Sequence, residues 1–112
     1  MKYQIYQIQL SDLDEKNDAL LNAYHLISIK PTEERISASF NLFNKVAIID
    51  ANDLEDAFTI SNLGEEEHLI ERLDSMHSLS VGDVLIDEEN KAFYVDTFGF
   101  KSLDLPQDEV TV

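Results

Sequence analysis

Two carboxylates stand where acid–base or metal chemistry would use them. Asp83 and Asp96 flank one proposed hairpin, each beside apolar residues, in Val81-Gly82-Asp83-Val84 and Tyr94-Val95-Asp96. Such a role requires at least one of them to be partly buried with a raised pKa. The plainer use of Asp83 is to bond the backbone of its own Gly-Asp turn. His77-Ser78 offers a base beside a nucleophile. Neighbours on an extended chain point to opposite faces, so the two do not meet as a pair, and His77 reads as a turn or packing residue. His25 and His68 stand alone and fit no metal-ligand spacing. Asp87-Glu88-Glu89-Asn90 fails as a calcium loop, because Lys91 occupies the fifth position and no glycine the sixth. Three isolated glycines build no phosphate loop. The absence of cysteine removes disulfides, thiolate metal sites and thiol nucleophiles. The expectation is a protein that is not an enzyme, with no metal and no cofactor.

Charge is the stronger signal. The 112 residues carry 23 Asp and Glu against 8 Lys and Arg, a formal net charge of −15. Leu, Ile, Val and Phe make up 36 of the 112 residues, well above the ~20 % below which highly charged chains stay disordered. The chain therefore builds a core. A folded chain of this mass exposes ~6,300 Å², or roughly one net negative charge per ~400 Å². The charge serves solubility, or it attracts a basic partner. Scattered basic residues build no phosphate-tracking groove, so direct nucleic-acid binding is disfavoured. Anionic membranes repel such a chain, and no apolar stretch approaches the ~20 residues of a membrane span. The N-terminus, interrupted by Gln4, Gln7 and Gln9, lacks the apolar run of a signal peptide. The expected location is cytoplasmic.

Short elements must position these residues. Residues 2–10 read as a strand with two apolar faces, Tyr3 and Ile5 on one, Tyr6, Ile8 and Leu10 on the other. Ser11 or Asp12 caps a helix over about 14–25 that buries Leu20, Leu21 and Tyr24. Ile36, Ala38, Phe40 and Leu42 alternate with polar residues, which predicts a strand over 35–42 with one wet face. Asn44-Lys45 turns or bulges before the apolar run 46–49. Asn52 caps a helix whose face is Leu54, Ala57 and Phe58, ending at Asn62-Leu63-Gly64. Glu65-Glu66-Glu67 opens a further helix burying Leu69, Leu73 and Met76. A strand over 79–86 and another over 92–96 form a hairpin around the loop Asp87–Asn90. Gly82 and Gly99 mark special backbone conformations. The fold class is α+β: a small antiparallel sheet or partly open barrel, with two to three short helices packed on one side. Residues 1–103 form one domain and 104–112 an acidic flexible tail.

Several of these segments together resemble a known family. They are Leu54-Glu55-Asp56-Ala57-Phe58 with Asn62, then His77-Ser78-Leu79-Ser80-Val81-Gly82-Asp83-Val84, then Phe93-Tyr94-Val95-Asp96 and Phe98-Gly99-Phe100, with Tyr6-Gln7 in the opening strand. The pattern resembles the YodL-like domain of Gram-positive phages, prophages and conjugative elements, over about residues 52–100 and more loosely before. The chain departs from it between Gly64 and Ser75, where the family carries a shorter, proline-containing loop. The resemblance implies a mobile-element origin more than a chemistry. Leu79–Val84 is also similar to the turn leading into a strand in small PUA and ASCH barrels, many of which bind RNA, against which the acidity argues.

Two functional readings follow. In the first, the chain inhibits a host nucleic-acid-binding defence system (CRISPR or restriction machinery) by covering its basic surface, as a DNA mimic. The acids for this are Asp53, Glu55, Asp56, Glu65, Glu66, Glu67, Glu71, Asp74, Asp87, Glu88 and Glu89, eleven of the 23. In the second, a structural or adaptor module binds protein through Tyr94, Phe98 and Phe100, since exposed aromatics concentrate binding energy. The partner is a basic nuclease or nucleic-acid-binding protein in the first reading. The chain itself is a monomer, or a homodimer through the edge of the 35–42 strand.

Overall fold

Tyr3 and Ile5 face one apolar cluster and Tyr6 and Ile8 the other, so the first strand lies at the centre of a sheet covered on both sides. The computed structural model of the chain describes residues 1–9, 18–64 and 66–105. The strands are β1 (Lys2–Gln7), β2 (Asn44–Asp50), β3 (Ile70–Arg72), β4 (Val84–Ile86), β5 (Ala92–Asp96) and β6 (Gly99–Leu103). The helices are α1 (Asp18–Ile29), α2 (Glu33–Ser39) and α3 (Leu54–Leu63), with single 3-10 turns at Phe40–Leu42 and Glu67–Leu69. The fold is α+β. The sheet runs β3-β2-β1-β4-β5-β6, every neighbour antiparallel. It is open, with β3 and β6 as its two ends, so it does not close into a barrel.

Helices lie on both faces rather than one. Ala23 and Ile27 of α1 and Ile36 of α2 pack with Tyr6, Ile86 and Tyr94 on one face. Ala57 and Ile60 of α3 pack with Ile5, Ile49 and Leu85 on the other. The alternation of Val84, Leu85 and Ile86 between the two clusters follows from the period of a strand.

The expected strand over 35–42 is a helix. Thr32 accepts a hydrogen bond from the Arg35 N–H at 3.1 Å, and Glu33 and Glu34 occupy the first turn. Ile36 and Phe40 are buried at i and i+4, a helical spacing that period-two alternation also satisfies. No strand edge exists there, so the homodimer expected through it has no basis. The bulge near Asn44-Lys45 falls one residue later. Ile5 opposes Ala47 and Tyr6 opposes Lys45, leaving Val46 as the extra residue.

The expected helix after Gly64 is also absent. The chain makes one 3-10 turn and enters β3, and Leu73 is exposed. Gly64, at φ +70°, stops α3, and its helix begins at Asp53 rather than Asn52. The Asp53 carboxylate accepts from Asp56 N–H at 2.8 Å, and the Asp56 carboxylate accepts from Asn52 N–H at 2.9 Å, a reciprocal cap. In the hairpin only Val84–Ile86 is strand before the turn. Asp87 Oδ1 accepts from the N–H groups of Glu89 and Lys91, and Asn90 takes φ +64°. The expected cap at Ser11 or Asp12 lies outside the described residues, as does the side chain of Leu20. The proposed tail lies outside them too, apart from Asp104 and Leu105. Leu105 packs against the α1–α2 face.

Gly82, at φ +94°, occupies the third position of the Ser80–Asp83 turn, closed by Asp83 N–H to the Ser80 carbonyl at 3.0 Å. A Cβ there would lie 2.3 Å from Cγ2 of Ile27, whereas at Gly64 it would meet nothing within 4 Å. Gly64→Ala therefore costs only the left-handed backbone, about 1 kcal/mol. Gly82→Ala adds overpacking against α1 and costs about 2–4 kcal/mol. Urea midpoints of the two variants check the order.

Candidate site at the crossing segment

β3 lies at one end of the sheet and β4 near its middle, so the chain between them must pass β2 and β1. Residues 75–80 have no regular structure, and their backbone polar groups are bonded by side chains instead. Gln9 Nε2 donates to the Ser75 carbonyl at 3.0 Å. Gln7 pairs with His77 as a neighbouring strand would: Oε1 accepts from His77 N–H at 3.2 Å, and Nε2 donates to the His77 carbonyl at 2.9 Å. Leu79 N–H donates to Ser61 Oγ of α3 at 3.0 Å. Gln7 follows Tyr3 and Ile5 on the same strand face and is fully buried.

The second amide proton of Gln7 goes to Asp83 Oδ2 at 3.0 Å, an oxygen that also accepts from Ser80 N–H at 2.9 Å. Asp83 thus bonds its own turn, as its residue type suggests. It is also buried, and burial pushes its pKa up to about 7 against the lowering effects of His77 and of its bonds to Ser80 and Gln7. Asp96 behaves otherwise. The Thr97 N–H and the Lys101 ammonium, 3.1 Å away, hold its pKa below the usual value at the surface. The two carboxylates do not form a pair.

His77 Nδ1 lies 2.8 Å from the Ser78 carbonyl, which only accepts, so Nδ1 carries a proton. Both Gln7 amide protons are already committed, so its 3.4 Å approach to Nδ1 is not a hydrogen bond. The Asp83 carboxylate is 3.9 Å from Nδ1 and, once ionised, acts on the ring by charge. His77 Nε2 is buried without a partner. The ring borders a polar cavity of about 240 Å³ beneath the end of α3, which Asn62, Gly64, Glu67 and Arg72 also line. Arg72 Nη2 is held by both Glu67 oxygens, at 2.9 and 3.0 Å.

A family model described as the YodL-like domain matches residues 2–105. The chain belongs to the YodL-like domain family. No curated protein and no solved structure matches it. The match takes in the front half and the stretch between Gly64 and Ser75. The motif residues of this YodL-like domain meet in space: Gln7 from β1 touches His77, and Asp83 bonds both Gln7 and Ser80.

The acids expected to bind a partner separate into two groups. Asp53, Asp87 and Glu88 gather around the start of β1, where their charges, after the larger effect of burial, raise the Tyr3 phenol pKa. Glu88 also accepts from Lys2 N–H at 2.6 Å. Glu55 and Asp56 share the first turn of α3, and Glu89 pairs with Lys91 at 3.4 Å. Glu66 and Glu67 follow the opposite end of α3, with Glu71 on β3 and Asp74 just after it. Glu65 lies outside the described residues. The three aromatics also separate. Tyr94 is buried with α1 and α2, Phe100 packs against Phe58 on the α3 face at 6.3 Å, and Phe98 is 98 % exposed at the β5–β6 turn. They do not make one patch. Among the described residues no three His, Asp or Glu gather as a metal site, and no helix is long and apolar enough to cross a membrane.

Sequence reasoning named Gln7 only within the Tyr6-Gln7 pair of the resemblance and gave no role to Gln9, Ser61 or Arg72. A signal for Gln7 existed: it is a polar residue on the apolar face of a two-faced strand. Gln7→Leu leaves the backbone of His77 and one donor to Asp83 unanswered, and is expected to cost about 2–4 kcal/mol. Asp83 supplies a pH dependence. The folded chain keeps this proton to about pH 7, while the unfolded chain releases it near 3.8. Its contribution is therefore fully present below about pH 4 and is lost as pH rises to about 7. Denaturation of Asp83→Asn across this range checks it, with a flattened profile expected.

Proposed function

We propose that the chain is a small, non-enzymatic acidic inhibitor of phage or mobile-element type. It docks on the basic surface of a host nucleic-acid-binding defence protein, a CRISPR or restriction nuclease, where DNA would otherwise lie. The observation that carries this reading is the meeting of two acidic segments where β1 begins, the start of α3 and the β4–β5 turn, around Tyr3. The carboxylates of Asp53, Asp56 and Asp87 are fixed there by backbone N–H groups. A fixed array loses little freedom on binding, and a net charge of −15 draws a basic partner over long range. Glu66, Glu67, Glu71 and Asp74 fall outside that array.

Phe98, fully exposed at a hairpin tip, favours a second reading as an adaptor that binds protein through a single aromatic anchor.

Capture of partners from a bacterial lysate, at low and high salt and with competing duplex DNA, separates the two. Inhibition by mimicry expects a nuclease that is released by salt and displaced by DNA. Glu55→Gln, Glu88→Gln and Glu89→Gln combined should weaken it at least about tenfold. Retention that ignores salt and DNA but is lost on Phe98→Ala would replace this reading with the second.

A further inference from the structure

The sheet ends on two open edges, and they differ. β3 is three residues long and sits among acids: Glu71 within it, Glu66 and Glu67 before it and Asp74 after it. Short length and charge guard an edge against strand addition. β6 is five residues long and carries no acid. Residues 91–103 hold two lysines, Lys91 and Lys101, against one acid, Asp96, a formal charge of +1 in a chain of −15. Asp96 and Lys101 pair with each other at 3.1 Å.

The direction of the backbone groups along β6 follows from its neighbour. Val95 N–H donates to the Asp83 carbonyl at 2.9 Å, and the Val95 carbonyl accepts from Gly82 N–H at 2.8 Å. Both groups of Val95 therefore point away from β6. Phe100 opposes Val95, so theirs is a non-hydrogen-bonded pair, and Phe100 turns its own N–H and C=O outward. Ser102, opposite Phe93, does the same. No described residue bonds these four groups. The Phe100 ring lies on the α3 face against Phe58, and Phe98 at the hairpin tip is 98 % exposed.

We propose that β6 pairs antiparallel with β6 of a second copy of this chain, joining the two sheets across a two-fold axis at Phe100. An edge that meets itself across a two-fold supplies an extended strand with the same outward groups on both sides. Outward residues must oppose outward residues. An axis at Lys101 would set two ammonium side chains directly opposite each other. An axis at Ser102 would leave Phe98 outside the pairing. An axis at Phe100 opposes two phenylalanines, an aromatic cross-strand pair, and sets Ser102 level with Phe98 of the copy. A second copy is also the occupant that the charge favours. β6 offers no acid to a basic partner, and its surroundings are free of the net negative charge that would repel another copy elsewhere.

Sedimentation velocity and amide hydrogen exchange of the full chain, over about a hundredfold range of concentration and at low and high salt, test this. A dimer that grows with concentration is expected. It should strengthen with salt, because screening relieves the repulsion between two chains of −15; a basic partner held by charge would instead be released. On dimerisation the amides of Phe100 and Ser102 should gain protection at least about tenfold. The amide of Lys101, which already faces β5, should change least. Ser102→Pro removes an outward donor without breaking a bond inside the chain, and should weaken association at least about tenfold. The chain has no cysteine, so single cysteines report the register. Phe100→Cys should oxidise to a covalent dimer faster than Lys101→Cys, because residues opposed at the axis lie ~5.5 Å apart between Cα atoms, within reach of a disulfide. A monomer at the highest concentration in both salts would overturn the proposal. So would a dimer that Ser102→Pro leaves intact, or faster oxidation of Lys101→Cys. If Ser102→Pro does not fold, the alternating amide protection in the unsubstituted chain decides.

Discussion

A stretch of chain that crosses a sheet without a ladder must still satisfy its backbone. Residues 75–80 face this between β3 and β4, and the answer comes from side chains: Gln9 for Ser75, Gln7 for both polar groups of His77, Ser61 for Leu79 and Asp83 for Ser80. Each buried group left unpaired costs about 1–3 kcal/mol, so these five bonds decide whether the crossing holds. With it in place, the β2–β3 edge and the β4–β5–β6 half join through β1 into one sheet. Both apolar clusters, and the cavity against α3, take their shape from that join.

Sequence legibility followed the range of the interactions. The two faces of β1, the start of α3, the β4–β5 hairpin and the Gly82 turn were readable, because each is set by residues within a few positions. The 35–42 segment misled because Ile36 and Phe40, at i and i+4, fit a helix and a strand alike, while Ala38 and Leu42 complete the alternation of a strand. The deciding term was the Thr32 cap with Glu33 and Glu34 behind it. The Glu65–Glu67 run had the acids of a helix start. The chain nonetheless entered β3, because Ile48 and Ile49 of β2 lay open for pairing with Glu71 and Ile70. The surroundings of His77 were not legible at all. Its chief partner, Gln7, lies 70 residues away, and no local pattern carries that information.

Much of the negative charge also has local work. Asp53 and Asp56 cap one helix, Asp87 binds the turn of a hairpin, Glu88 receives the N–H of Lys2, and Glu67 holds Arg72. Such roles fix where the carboxylates sit, and they divide the acids between the two ends of α3. The end that meets the β4–β5 turn keeps several charges close enough to act together on Tyr3. The other end holds the Glu67–Arg72 ion pair.

Asp83 stands apart from these acids. The turn it closes needs an acceptor at Oδ2, and so does Gln7. The side-chain oxygen of an asparagine would satisfy both without taking an ionisable group into the interior. Burial of Asp83 holds its pKa near 7, so the folded chain bears a desolvation cost that the turn itself does not demand. What the carboxylate adds over the amide is a charge once it ionises, at about pH 7, and the group positioned to feel it is His77, whose Nδ1 lies 3.9 Å away. A negative charge on that side favours keeping the proton on Nδ1 and makes Nε2 a better acceptor, as a carboxylate behind a histidine does at other sites. The arrangement costs stability at the crossing and strengthens an acceptor that no other described residue uses.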